Sequence, residues 1–251
     1  MYVACSTLCF QRSTFEDALR SINALHFQKI DLAVSETGPH LKPSEIAMDV
    51  NKTAQYLRST GFIYSAIHAS FAAPEPDVYR EQLKAVCRLG RLLTVPVVTI
   101  AAGDPATDLD EEVKRLTTLS KLAQAEGVTL AVETHRDTLT GDPAAALMLC
   151  ERVPGLGLTL DPSHYAVGPH RNEEYDELFP FVKHVRLRDS SVDQFQVRIG
   201  QGHVEYGKIV TLLERENYER ALTIDIQDSP EADYPIEPEV RKLKFLLESM
   251  V

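Results

Sequence analysis

Apolar and polar positions along the chain fall into short alternating runs separated by longer stretches with helical spacing. The clearest run is Val128–His135, VTLAVETH, which follows Gly127 and carries β-branched residues. Its composition and length predict a buried strand. Alternation turns Leu130, Val132 and Thr134 to one face, and Thr129, Ala131 and Glu133 to the other. A carboxylate on the inner face of such a strand needs a partner, because burying an unpaired charge is costly. Three later segments repeat the pattern. LGLTLDPSH (156–164) carries Gly157, Thr159 and Asp161 on the face opposite Leu158 and Leu160. VKHVRLRD (182–189) sets His184, Arg186 and Arg188 opposite Val185 and Leu187. ALTIDIQD (221–228) sets Thr223, Asp225 and Gln227 opposite Leu222, Ile224 and Ile226. Four strands in succession therefore end in charge on the face away from their aliphatic residues.

The remaining segments complete a regular alternation. Strands are predicted at Tyr2–Ser6, Lys29–Val34, Phe62–His68 and Pro96–Ala101. Helices are predicted from Thr14 to about His26, Ser44–Ser59, Asp77–Leu93, Asp110–Glu126, Asp142–Arg152, Asn172–Phe179, Tyr206–Glu216 and Glu237–Met250. Thr14 with Asp17 three residues on resembles a capping box, Pro143 sits in a first turn, and Gly61 and Gly127 stop helices. A long loop, Ser190–His203, comes after the seventh strand. Eight strand–helix units in 251 residues give about 31 residues per unit, the repeat of a (β/α)8 barrel. The doubly wound open sheet is the rival, but Ser6-Thr7-Leu8-Cys9 lacks the glycine-rich phosphate loop expected after its first strand. The expected fold is a single (β/α)8 barrel over residues 1–251, with its site at the C-terminal strand ends.

Composition narrows the partners. A formal net charge of −11, without a long basic run, argues against nucleic acid. The four cysteines, Cys5, Cys9, Cys87 and Cys150, form no CxxC pair and sit in apolar elements. They are expected to be reduced core residues of a cytoplasmic protein. No stretch approaches the roughly 20 apolar residues of a membrane span, and the N-terminus does not have the make-up of a signal peptide. Exposed helix faces would permit a homodimer.

The segments AVETH, LDPSH and VRLRD, with GQGHVEYGKIVTLL, resemble the xylose isomerase-like barrel superfamily over nearly the whole chain. That group includes sugar-phosphate isomerases and epimerases, ketose 3-epimerases, hydroxypyruvate isomerases, inosose dehydratases and endonuclease IV. The resemblance implies one divalent cation, manganese, magnesium or zinc, held by a glutamate, an aspartate, a histidine and a second acid. By position these are Glu133, Asp161, Arg186 and Asp225. The chain departs from the pattern twice: arginine stands in the histidine's place, and the last acid is the shorter aspartate. Arginine cannot lose its proton to become a ligand. Either Glu133, Asp161 and Asp225 hold the cation with His164 or water completing the set, or the Arg186 guanidinium replaces its charge. His184 lies one layer deeper and is a poor substitute ligand.

The implied activity is isomerisation or epimerisation of a carbohydrate or keto-polyol by proton transfer next to a carbonyl. Elimination by a related lyase is the variant of the same chemistry. Glu133 and Asp225 are the expected acid–base pair, with Arg186 as electrophile in a metal-free version. His68, His164, Arg188 and His135 are the expected substrate contacts, and Tyr165, Phe71 and Phe10 a candidate apolar wall. Each has a plainer alternative: Arg188, for instance, could pair with Asp189 or Asp193. An endonuclease IV-like nuclease is disfavoured because Ala101, Gln196 and Arg186 stand where further ligand histidines would be. A non-catalytic sugar-binding barrel, tied up by Arg186 salt bridges, is the remaining alternative.

Overall fold

The structure, a computed structural model, describes residues 1–72, 75–171, 173–229 and 232–251. Eight parallel strands close into a barrel in sequence order. They are β1 Tyr2–Ser6, β2 Lys29–Ser35, β3 Ile63–Ser70, β4 Val97–Ile100, β5 Thr129–Glu133, β6 Gly157–Leu160, β7 Val182–Leu187 and β8 Ala221–Ile224. β1 pairs with β8, Cys5 lying beside Ile224, which removes both sheet edges. The α-helices are α1 Phe15–Ala24, α2 Pro43–Met48, α3 Val50–Ser59, α4 Pro76–Leu92, α5 Leu109–Ala125, α6 Pro143–Arg152, α7 Ser163–Val167, α8 Tyr206–Arg215 and α9 Ile236–Glu248.

Local chemistry explains the boundaries. Thr14 Oγ1 accepts the Asp17 amide at 3.2 Å, so the expected cap opens α1. Asp142 caps α6 through the Ala144 amide at 2.8 Å, with Pro143 next to it. Gly127 adopts φ +76°, a left-handed conformation that lets the chain turn from α5 straight into β5. Two elements differ from expectation. The helix predicted over Ser44–Ser59 is two helices, because Asp49 (φ −154°, ψ 84°) leaves helical geometry and caps α3 through the Lys52 amide at 2.9 Å. The helix predicted from Asn172 begins outside the described residues. Its second half is a 3-10 turn, Asp176–Phe181, with Pro180 inside it.

The aliphatic faces of the strands point outward and are buried under the helices: Leu32, Ile67, Leu130, Leu158, Val185 and Leu222 are all fully covered. All four cysteines are unpaired and buried. The barrel interior takes the opposite set of residues. Thr99 and Thr159, from strands that are not neighbours, meet at 2.7 Å across it. Polar residues inside and aliphatic ones outside deliver the charged strand ends to one mouth.

Candidate active site

At the C-terminal strand ends, Arg186 of β7 occupies the centre of the mouth and is 2% exposed. Its Nη1 donates to Glu133 Oε1 at 2.8 Å and to His68 Nδ1 at 3.0 Å. Its Nη2 donates to Asp225 Oδ1 at 2.7 Å and, longer, to Ser6 Oγ at 3.4 Å. Arg188, one layer higher, donates from Nη2 to Asp161 Oδ2 at 2.7 Å and to Asp225 Oδ2. Its partners are therefore Asp161 and Asp225, not Asp189 or Asp193. Beneath Arg186, His184 Nε2 bonds Asp31 Oδ2 at 2.9 Å, which confirms its deeper layer. Thr134 ties β5 to the end of β6: Asp161 N donates to its Oγ1 at 2.8 Å, and that hydroxyl donates to Asp161 O at 3.0 Å.

Hydrogen-bond direction sets two tautomers. An arginine only donates, so His68 Nδ1 is the acceptor and its proton is on Nε2. His164, carried by the short helix α7, accepts the Arg136 amide on Nδ1 at 3.3 Å and likewise keeps Nε2–H, 3.9 Å from Asp161 Oδ2. Burial pushes both histidines down, His164 to about 2, which makes His164 a neutral donor at ordinary pH and favours the same neutral form for His68. For Glu133, burial works upward, but the neighbouring His68 and Arg186 outweigh it and hold the carboxyl well below the usual range. Asp225 and Asp31 are lowered in the same way, by the two arginines and by His184 with Arg186 respectively, against the pull of burial. Asp161 goes the other way: burial, with the nearby charges of Glu133 and Asp225, raises it against Arg188.

The expected residues Glu133, Asp161, Arg186, Arg188, Asp225, His68 and His164 thus converge. Their arrangement differs from the expected one in three respects. Both oxygens of Asp225 already accept from guanidinium groups and the side chain is fully buried, so it does not face a ligand as half of an acid–base pair would. His135 reaches only the rim, where its ring lies 4.1 Å from that of His164. The apolar wall is neither Tyr165, whose hydroxyl donates to Thr140 O in the core, nor Phe10, which is buried, nor Phe71, which packs on Tyr79. It is Phe195, from the Ser190–His203 loop. Its ring lies 4.5 Å from His164, 4.6 Å from the Arg188 guanidinium and 4.8 Å from that of Arg136. Asp31, Ser6 and Phe195 were not anticipated. Asp31 carried a legible signal, a carboxylate alternating with Ile30 and Leu32; a loop phenylalanine carries none.

The residues do not fit the divalent cation that the resemblance implies. Each of the three acids that would hold it is engaged by a guanidinium, and two permanent positive charges lie among them. Among the described residues a set of possible ligand atoms gathers elsewhere, at Asp142, His170 and Glu173, where His170 Nδ1 and Glu173 Oε1 are 2.8 Å apart. A cavity of about 370 Å3 adjoins Phe195, lined by Arg136, Gln196 and Gln227. A larger one of about 670 Å3 lies at the opposite end of the barrel, between α1 and α3, and contains none of the converging acids.

Comparison with known proteins agrees with the architecture. The model of the xylose isomerase-like TIM barrel family matches residues 19–246. No curated protein matches the chain. Among solved structures, a xylose isomerase-like TIM barrel protein from Mycobacterium smegmatis, in complex with magnesium, superposes with a TM-score of 0.77 at 17% identity, over 98% of this chain and 96% of that one. A D-allulose 3-epimerase from Methylomonas sp. gives 0.75 at 16% identity, over 100% and 98%. The probable 3-DHS dehydratase AsbF from Bacillus anthracis gives 0.72 at 18% identity, over 97% and 98%. At these identities the likeness is one of fold. Among the described residues no helix is long and apolar enough to cross a membrane.

Proposed function

The chain belongs to the xylose isomerase-like TIM barrel family, and on that premise we propose that it is an isomerase or epimerase of a carbohydrate or keto-polyol. The observation that carries this reading is the setting of Glu133. One of its oxygens is fixed by Arg186 at 2.8 Å, while the other makes no hydrogen bond among the described residues. A carboxylate held this way can take a proton from the carbon beside a carbonyl and return it. Return to the neighbouring carbon is isomerisation; epimerisation needs a proton delivered to the opposite face by a donor other than Glu133, such as water. The Nε2–H groups of His68 and His164 are neutral donors for the carbonyl oxygen, and the Arg186 guanidinium balances the charge that develops on it. Arg188 and His135 are the further substrate contacts in this reading. Asp225 is assigned to holding the two guanidinium groups together, because both its oxygens are committed. Phe195 lies over Arg188 and His164, so a substrate enters by displacing it.

The same first step with subsequent loss of a hydroxyl group would be a dehydratase reaction, which exchange of the same proton detects equally. A second reading, a sugar-binding barrel without turnover, is favoured by the pairing of every acid at the mouth with an arginine.

The test is deuterium exchange. The protein is incubated with a panel of ketoses and keto-polyols in D2O, and proton NMR monitors the carbon next to the carbonyl. The expected result is exchange with at least one compound, slowed by about 10²–10⁴-fold in Glu133→Gln. Binding of a compound without any exchange would leave the binding barrel as the function.

A further inference from the structure

We infer that in this chain the Arg186–Arg188 pair, joined through Asp225, takes the place of a divalent cation, and that the site works without one. Three observations meet here. First, the acids are bridged as an ion would bridge them: Arg186 joins Glu133 to Asp225, and Arg188 joins Asp225 to Asp161. The β5, β6 and β8 ends are thereby tied together from β7. Second, the charge is the same, since two guanidinium groups carry together what one divalent ion carries, and neither can be titrated away. Third, what the pair leaves over has the wrong polarity for a metal. A cation needs several free acceptors, yet among the three acids only Glu133 keeps an oxygen without a hydrogen bond among the described residues, while Arg188 Nε and Nη1 are buried donors without one; Arg186 Nε faces Asp31 Oδ2 at 3.5 Å. Asp31 Oδ1 is a free buried acceptor, but its residue lies one layer deeper and is already bonded to His184. Spare N–H groups suit the oxygen atoms of a hydroxylated or enediolate ligand.

This inference deepens the proton-transfer reading, but its test needs no turnover. The untagged full chain is purified without added metal and its metal content measured by elemental mass spectrometry. Unfolding midpoints are then recorded with EDTA, MnCl2 and MgCl2. His170→Ala serves as the background, because it dismantles the half-exposed Asp142–His170–Glu173 cluster. The expected content is below about 0.1 ion per chain, with midpoints unmoved by chelator or metal, since an ion that bound the folded form would raise them. About one ion per chain, or a saturable rise with Mn2+, would overturn the inference. In the same background Arg186→His is expected to gain a saturable Mn2+-dependent rise. A folded Arg186→His chain with no such response would also overturn it, by showing that these acids are not arranged as a cation's ligands. Should Arg186→His not fold, the parent measurements decide alone. Metal found in the parent would leave the proton-transfer reading standing. A metal-free parent that exchanges no substrate proton would remove that reading and, with it, proton transfer at an ion-free site, leaving only the structural replacement of the cation by the arginine pair.

Discussion

Arg186 shows how one side chain redirects a set of acids. Without it, Glu133, Asp225 and Asp31 would be buried charges with few partners, and removal of one member of a buried ion pair costs about 3–5 kcal/mol. With it, Glu133 is a carboxylate at any ordinary pH, and His68 is fixed as an Nε2–H donor. These shifts set the pH dependence of turnover. Glu133 and His164 titrate far below neutrality, so neither changes charge between about pH 6.5 and 8, and burial moves His68 away from that range. Substrate proton exchange is expected to be flat over that range. A bell centred on an ordinary histidine pKa would assign the chemistry to another group. Glu133, Asp161 and Arg186 were legible from alternation alone, because period two admits no other inward set once the aliphatic face is known. The hydrogen-bond directions were not, since they depend on groups up to 180 residues apart, as Ser6 and Arg186 are.

At the scale of an element, the Ser190–His203 loop owes its path to Asp189. One carboxylate oxygen accepts the amides of Gly200 at 2.7 Å and Gly202 at 3.0 Å, and the other accepts that of Ser190 at 3.0 Å. The Gly200-Gln201-Gly202 turn was conspicuous in the sequence, and its physical reason is this close approach. A Cβ on Gly202 would overlap Asp189 Oδ1 and Ser190 O. Gly202→Ala is expected to lower unfolding stability by about 1–3 kcal/mol in urea titrations. An unchanged midpoint would mean that the loop tolerates a different path. Gln196 completes the anchoring by exchanging bonds with the chain after β8, to Gln227 O at 2.9 Å and from Gln227 N at 2.7 Å. Between these anchors Phe195 is held over the mouth. The split of α2 from α3 at Asp49 is a simpler case: aspartate is a weak helix former and a strong cap, and here the cap wins.

At the scale of the whole molecule, barrel closure gathers the charge of four consecutive strand ends, β5 to β8, into one buried network, and stability inherits its pH dependence. Asp31, Glu133 and Asp225 have lowered pKa values in the folded chain. Their contribution is present above the ordinary carboxylate value, near pH 4, and is lost as pH falls towards their folded values. Asp161, which is raised, acts in the opposite sense: its contribution is present at low pH and is lost as pH rises through its folded value. The buried neutral His68 and His164 act first, because below about pH 6.5 the unfolded chain takes up protons that the folded chain does not. Urea midpoints are therefore expected to fall from about pH 6.5 downward, and further below about pH 4, where the three lowered carboxylates add their loss. A midpoint that rose on acidification would show that the network is protonated in the folded state.

The sequence by itself determined the barrel and the inward set of residues, because strand alternation and a 31-residue repeat are local properties of the chain. It also marked Arg186 as the residue that cannot be a ligand, a consequence of the chemistry of one side chain. Only the tertiary structure decided what Arg186 does. It placed the guanidinium between acids of β5 and β8, closed both oxygens of Asp225, and brought Phe195 over the mouth. Those outcomes rest on distances between elements far apart along the chain, and periodicity within a single element carries no information about such distances.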